Sequence, residues 1–307
     1  MDKVGSFKVT VGMCVKNSEE IIKHAIGSVI NQDCPAGFME VLVVDGSSRD
    51  RTLQILRDNL KDANLSYRIF SENQGLGHAR QIVVEEALGD YIVWIDADMI
   101  VPSDYVRNQV AFMETHPSVG IAGGKYGLHT DEGLAADLEN IVYCVDSVYG
   151  EKSASNHGYL PGVEGSITRV KALRNVGGFD PEMHGAAEDT ELVYRLRDRG
   201  WAIAVTNETF TESTRQSWIS LWKQYVWYGQ GGHYVYHKNS GAINLWKMMP
   251  IAGFLAGCVR CPGAYMILNR LSAFLLPIHY TFKRTAWFYG FVKAHLSGYG
   301  HASVKKL

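Results

Sequence analysis

Four short apolar runs, each leading through a polar cluster into a helical period, constrain this chain more than any other feature. The runs are Phe7–Val15, Met39–Val44, Leu65–Phe70 and Tyr91–Ile95. Between them, Ile21, Ile22, Ala25, Ile26, Val29 and Ile30 recur at helical spacing within Glu19–Ile30. Asp50 stands as N-cap before a helix through Thr52, Ile55 and Leu56, and Gly75–Leu88 forms a third helical stretch. Strands alternating with helices of this length predict βαβ units, hence an α/β fold with a mostly parallel central sheet flanked by helices. In such sheets ligands bind beyond the carboxyl ends of the strands. Lys16-Asn17, Asp45–Ser48 and Asp96–Asp98 are therefore expected along one edge. Further on, Ser103–Glu114, Leu134–Tyr149 and Glu188–Arg199 read as helices and Val119–Gly123 as a strand.

Asp96-Ala97-Asp98 closes the fourth run. Alternate strand residues share a face, so both carboxylates are expected to aim into one cleft. Two hard oxygen ligands suit Mg²⁺ or Mn²⁺ bridging a substrate's phosphates, whereas a plain solvated turn is the bland alternative. Asp45 follows Val41-Leu42-Val43-Val44 in a Gly-Ser turn, where it suits either a bond to a base or ribose or an Asx-turn. Asn73 to Arg80 opens the third helix with Gly75 and Gly77, and Arg80 there can face a phosphate or a carboxylate. Arg80 stands where a dinucleotide fingerprint needs glycine, which disfavours a dehydrogenase. Glu188-Asp189 opens a helix, fitting either catalysis or dipole complementation.

In this order and spacing, these segments resemble the inverting family 2 glycosyltransferases of GT-A fold. The resemblance covers about Lys8 to Tyr236. It rests on Lys16 to Glu19, Val43 to Thr52, Asn73 to Arg80, Asp96 to Asp98, Gly177-Gly178-Phe179-Asp180, Glu188 to Leu192 and Arg195-Leu196. It implies that Asp45 holds the nucleotide base or ribose, helped by the backbone at Val15 and by Asn17 or Glu19. It implies that Asp96 meets the ribose, that Asp98 with Asp96 binds Mn²⁺ or Mg²⁺ on the diphosphate, and that Asp189 is the general base beside Glu188. Two departures stand out. Gly46 replaces a frequent second aspartate, and Gln224-Tyr225-Val226-Trp227-Tyr228 departs from the Q-x-x-R-W of processive synthases, which argues against a processive polymerase.

Charge divides the chain unevenly. Through Glu212 there are 19 Lys+Arg against 32 Asp+Glu; from Ser213 to Leu307 there are 11 Lys+Arg, no acid, and 18 of the 34 aromatics. This predicts a catalytic domain over 1–212 and a basic, aromatic, helical extension over 213–307 with its own partner, an anionic membrane surface. Met248–Val259 is only twelve residues between Lys247 and Arg260, too short to span about 30 Å of hydrocarbon. Gly263–Phe282 is long enough but holds Asn269, Arg270 and His279. Helices lying in the interface fit this pattern better. His233 and His237 have i, i+4 spacing, read as amphipathic packing in preference to a further metal ligand. Five scattered cysteines, including the lone pair Cys258 and Cys261, read as reduced thiols. Met1 to Lys8 is expected to carry no signal peptide.

The expected function is inverting transfer of a hexose from a UDP- or GDP-sugar to a hydroxyl, on a lipid-linked or glycan acceptor at the cytoplasmic membrane face. No nucleic-acid partner is expected. A polyprenyl-phosphate hexose synthase is the enzymatic alternative. A catalytically silent GT-A-like membrane adaptor is the alternative of another class.

Overall fold

The computed structural model of the chain describes residues 8–128, 133–154, 162–183, 185–239 and 241–299. These fall into two compact units. The first draws on 1–127, 150–184 and 192–212, and the second on 128–149, 185–191 and 213–307. The charge boundary at Glu212 thus coincides with one edge of the division, and two earlier segments join the second unit.

In the first unit the strands are β1 (Val9–Val15), β2 (Met39–Asp45), β3 (Ser66–Ser71), β4 (Tyr91–Trp94), β5 (Met99–Ile100), β6 (Val119–Tyr126), β7 (Ser166–Arg169) and β8 (Ala202–Glu212). They form one eight-stranded sheet in the order β3-β2-β1-β4-β7-β6-β8-β5. The pairs among β1 to β4 are parallel, as is β6 with β8, while β7 and β5 pair antiparallel. Helices α1 (Ile22–Ile30), α2 (Thr52–Leu60), α3 (Leu76–Glu86), α4 (Tyr105–Thr115) and α6 (Val170–Asn175) belong to this unit. Helix α5 (Leu134–Ala154) separates α4 from α6 in sequence, and α7 (Glu188–Asp198) follows.

Successive strand residues feed two cores. Val9, Val11, Met13, Val41, Val43, Val93 and Ile95 join Ile22, Ile26 and Leu56. Leu42, Val44, Ile92 and Trp94 join Val83, Phe179, Leu192 and Leu196. Both faces are covered, which is why the strands read as continuous apolar runs rather than alternating ones. Each fully buried Val or Ile contributes roughly 1.5–3 kcal/mol. Gly12 lets α3 approach β1: a Cβ there would lie 2.7 Å from Val83 Cγ1.

The second unit is built from part of α5 with α8 (Trp218–Lys238), α9 (Leu245–Met248), α10 (Pro250–Leu268) and α11 (Leu276–Ser297). Its basic tail finds its acids upstream. Arg270 pairs with Asp137, Arg260 with Asp146, and Lys238 with Glu191 at 2.9 Å. Buried Glu139 accepts from Lys283 at 2.9 Å, from Tyr225 at 2.6 Å and from His279 Nε2 at 2.7 Å. Part of the tail's surplus charge is therefore neutralised within its own unit.

The structure corrects the reading of the apolar tail. Instead of twelve residues ending at Val259, α10 runs unbroken for 19 residues through Arg260, and is long and apolar enough to cross a membrane by length and composition. Arg260 does not interrupt it, because its charge turns inward to Asp146 and to the Tyr280 hydroxyl at 2.7 Å. Small residues face inward on this helix. Gly253, Gly257, Cys261 and Ala264 are buried, and a Cβ on Gly257 would lie 2.5 Å from Pro277 Cα. Large apolar residues point out: Ile251 is 75% exposed, Val259 79% and Met266 83%. That inversion is the pattern of helices packed through small residues in an apolar solvent.

Candidate active site

The parallel register brings the first three polar clusters to one sheet edge. Val15 at the end of β1 stands beside Asp45 at the end of β2, and Asp45 beside Ser71 of β3. On the other side of β1, Gly12 pairs with Trp94, so the Asp96 segment leaves β4 at the same edge. Across β1, the ends of β2 and β4 are roughly 10 Å apart at ordinary strand spacing.

The Asp96–Asp98 geometry differs from the sequence expectation. Strand β4 ends at Trp94, and the two carboxylates lie in the turn leading to β5, where the Met99 N–H donates to the Asp96 carbonyl at 3.2 Å. A tight turn, not strand alternation, carries both residues. Both are half-buried. The buried Arg80 guanidinium lies 3.4 Å from Asp96 Oδ2 and also sits over the Phe179 ring. Of the two partners sequence allowed for Arg80, a carboxylate is therefore in place.

Asp45 is 3% exposed. Its Oδ2 accepts from the Ser48 N–H at 3.1 Å, while its buried Oδ1 has no partner among the described residues. Buried carboxylate oxygens are rarely left so, and an unfilled acceptor at a cleft edge points to a donor on a ligand. The surrounding loops are tied to each other. The Asn17 N–H donates to Ser48 Oγ at 2.9 Å, and Asn17 Oδ1 accepts from the Arg49 N–H at 2.9 Å. Glu19 Oε2 accepts from the Arg51 N–H and from Arg51 Nε, and these bonds hold its carboxyl below the usual range. Asp50 accepts from Thr52 and from the Glu19 N–H. The Asn17 and Glu19 side chains thus serve as latches between the loops that frame Asp45.

Sequence reading passed over Glu72. Its buried Oε2 accepts from the Gly75 N–H at 2.9 Å at the start of α3, and a Cβ on Gly46 would lie 3.4 Å from Glu72 Oε1. A side chain at position 46 would thus lie between Glu72 and the Lys16 side chain, whose Cδ stands 3.3 Å from such a Cβ. Gly77 serves the fold: a Cβ would lie 2.6 Å from the Met183 carbonyl. Arg195 holds the neighbouring Gly177-Gly178 turn through the Val176 and Gly178 carbonyls at 2.6 and 2.8 Å.

Glu188 and Asp189 open α7 and fall in the second unit. Glu188 is buried and Asp189 half-buried, with Asp189 Oδ1 accepting from the Thr190 N–H at 2.6 Å. Ala187, immediately before them, holds φ 71°. Asn17 and Ser47 hold φ 48° and 60°. Such conformations cost non-glycine residues on the order of 1–3 kcal/mol and concentrate where function fixes the backbone. Gly231 of α8 allows the 185–191 segment to lie close, since a Cβ would stand 1.9 Å from the Ala186 carbonyl.

The sequence matches the family model for Glycosyl transferase family 2 over residues 10–156 and that for Glycosyl transferase family group 2 over residues 91–292. A poly-beta-1,6-N-acetyl-D-glucosamine synthase of Staphylococcus epidermidis is 25% identical over 224 residues, 71% of this chain and 53% of the relative. That of Staphylococcus aureus strain COL is 23% identical over 254 residues, 79% of this chain and 59% of the relative. The chain spans between half and three fifths of the length of these relatives. Among solved structures, the mannosyltransferase PcManGT from Pyrobaculum calidifontis, in complex with GDP-Man and Mn²⁺, superposes with TM-score 0.67 at 18% identity, covering 94% of this chain and 87% of that one. The M. tuberculosis glucosyl-3-phosphoglycerate synthase superposes with TM-score 0.54 at 19% identity, covering 75% and 80%.

Proposed function

The chain belongs to the family 2 glycosyltransferases, and on that premise we propose that it transfers a hexose, with inversion, from a UDP- or GDP-sugar to an acceptor hydroxyl on a lipid-linked or glycan substrate at the cytoplasmic face of a membrane. The observation that carries the reading is the buried, unpartnered Asp45 Oδ1 at the same sheet edge as the Asp96–Asp98 turn. Asp45 takes a hydrogen bond from the base or ribose, with the Val15 backbone beside it and the Asn17 and Glu19 latches holding the loops. The half-buried carboxylates of Asp96 and Asp98, both hard oxygen donors within one turn, fit Mn²⁺ or Mg²⁺. Such an ion, when bound, neutralises charge growing on the departing diphosphate. Arg80 balances Asp96 and fixes its orientation. Asp189 takes the proton of the attacking hydroxyl, with buried Glu188 next to it at the start of α7. A single displacement inverts the anomeric carbon and leaves no covalent sugar on the enzyme.

The outward Ile251, Val259 and Met266 face of α10 supports the membrane part of the proposal. Apolar insertion supplies binding that salt does not screen, and the tail's remaining cations add a screened part. One experiment tests both parts. Full-length protein incubated with Mn²⁺, anionic vesicles and a panel of UDP- and GDP-hexoses is expected to float with the vesicles, less so but still measurably at high salt. It is expected to release nucleoside diphosphate from one donor. No flotation under any lipid condition contradicts the membrane reading, and no release from any donor supports the silent-adaptor alternative.

A further inference from the structure

Helix α8 carries Gly229 and Gly232 on the side that meets α11. A Cβ on Gly229 would lie 1.9 Å from the Trp287 carbonyl, and one on Gly290 would lie 2.0 Å from the Val226 carbonyl. These glycines allow the two helix backbones to approach unusually closely. One turn further along, that approach brings together three imidazoles: His233 and His237, four residues apart on α8, and His295 on α11. Their ligand nitrogens all lie within 4.8 Å of one another.

The hydrogen bonding at His233 shows what the cluster can do. His233 is fully buried, and its Nδ1 lies 2.7 Å from the Tyr299 carbonyl oxygen. A carbonyl only accepts, so Nδ1 carries the proton. The neutral ring then presents an unprotonated Nε2 with one in-plane lone pair. Two nitrogens approach that atom, His237 Nε2 at 3.0 Å and His295 Nδ1 at 3.2 Å. One lone pair, or one N–H if the ring is charged, does not make two well-aligned hydrogen bonds. A metal ion bonded to all three nitrogens satisfies them together. Tetrahedral Zn²⁺ with Zn–N of about 2.0–2.1 Å separates its ligand nitrogens by about 3.3–3.4 Å, close to the two distances found. A backbone carbonyl taking the far N–H of the buried imidazole is the usual support of a zinc-bound histidine.

We infer that His233, His237 and His295 form a Zn²⁺ site that ties α8 to α11 within the second unit, made of residues other than the Asp96–Asp98 carboxylates and of softer donors than theirs. Imidazole selects zinc over Mg²⁺ or Mn²⁺. The site would brace α8 next to Gly231, the residue against which the segment preceding Asp189 lies.

The test uses untagged full-length protein, stripped of metal and free of nucleotide, titrated with Zn²⁺ against a chromophoric chelator. About one equivalent should bind, with Kd at least tenfold lower than in His237→Gln or His295→Gln, because each substitution removes one of three protein ligands. These two residues are not fully buried, so the variants should fold where a His233 variant could fail. Asp98→Ala should bind Zn²⁺ as the wild type does. Co²⁺ in place of Zn²⁺ should give the strong visible bands of a four-coordinate ion, absent in His295→Gln. Equal zinc affinity in wild type and histidine variants overturns the inference, as does loss of the zinc equivalent in Asp98→Ala or a Co²⁺ spectrum unchanged by His295→Gln.

Discussion

Replacing Asp189 by asparagine is expected to leave donor binding intact and to lower kcat about 10²–10⁴-fold, the usual contribution of a positioned general base. The substitution is nearly isosteric. An asparagine carbonyl still accepts from the Thr190 N–H as Asp189 Oδ1 does at 2.6 Å, so the start of α7 keeps its geometry. What is lost is a group able to take the acceptor's proton. A base that acts only on the acceptor, the role proposed for Asp189, should leave the KM for the nucleotide sugar hardly moved. Steady-state transfer rates with donor titrations check this. A variant that transfers at near wild-type rate would mean that the acceptor needs no deprotonation, as a polyprenyl phosphate does not, and the synthase alternative would replace the hydroxyl reading.

Glu139→Gln is expected to destabilise the second unit by about 3–5 kcal/mol, the cost of breaking a buried ion pair from one side. Glu139 is fully buried, with Lys283, His279 and Tyr225 all donating to it. Burial alone would raise its pKa, but the Lys283 charge and the His279 and Tyr225 bonds outweigh burial and hold the carboxyl down at about 2. Burial pushes His279 below its ordinary value, and its buried Nδ1 has no partner among the described residues. Both facts fit a neutral ring donating through Nε2. A glutamine offers one acceptor where three donors converge and leaves the Lys283 ammonium uncompensated. Removing both charges, as in Glu139→Leu with Lys283→Met, should cost much less than Glu139→Gln alone. Urea unfolding of the three proteins measures this, and a loss under about 1 kcal/mol in Glu139→Gln would show that the network is not structural. The folded pKa lies below the unfolded 4.5, so the carboxylate's stabilisation is complete above pH 4.5 and is lost as pH falls from there toward about 2.

The first unit was largely legible in the sequence because its information is local. Short continuous apolar runs and period-3.6 helices alternate, and the right-handed βαβ rule then leaves few ways to arrange them. The convergence of Val15, Asp45 and Asp96 on one edge followed from topology alone. The local geometry at Asp96–Asp98 did not, because ending β4 at Trp94 depends on the turn to β5, whose Met99 pairs with Glu212 far along the chain. The tail was the least legible part. Counting its charges as free ignores partners such as Asp137, Glu139 and Asp146, more than a hundred residues away in sequence, and Arg260 looked like a helix boundary only until its partner was known. His233 and His237 were visible as a spaced pair, but nothing local links them to His295. The left-handed backbone at Ser47 and Ala187 carries no residue signal either, since glycine or, as at position 17, asparagine would be the ordinary choice there.

A metal-assisted nucleotide-sugar site at the carboxyl edge of the sheet is open to calorimetric titration of UDP and GDP into wild type and Asp98→Ala, with and without Mn²⁺. One nucleotide is expected to bind wild type markedly more tightly with Mn²⁺ present. In Asp98→Ala that gain should shrink by about tenfold or more while thermal stability is preserved, because the substitution removes a half-buried turn carboxylate proposed as a cation ligand and leaves the core undisturbed. Equal nucleotide affinity in the two proteins, with the same Mn²⁺ dependence, would contradict it.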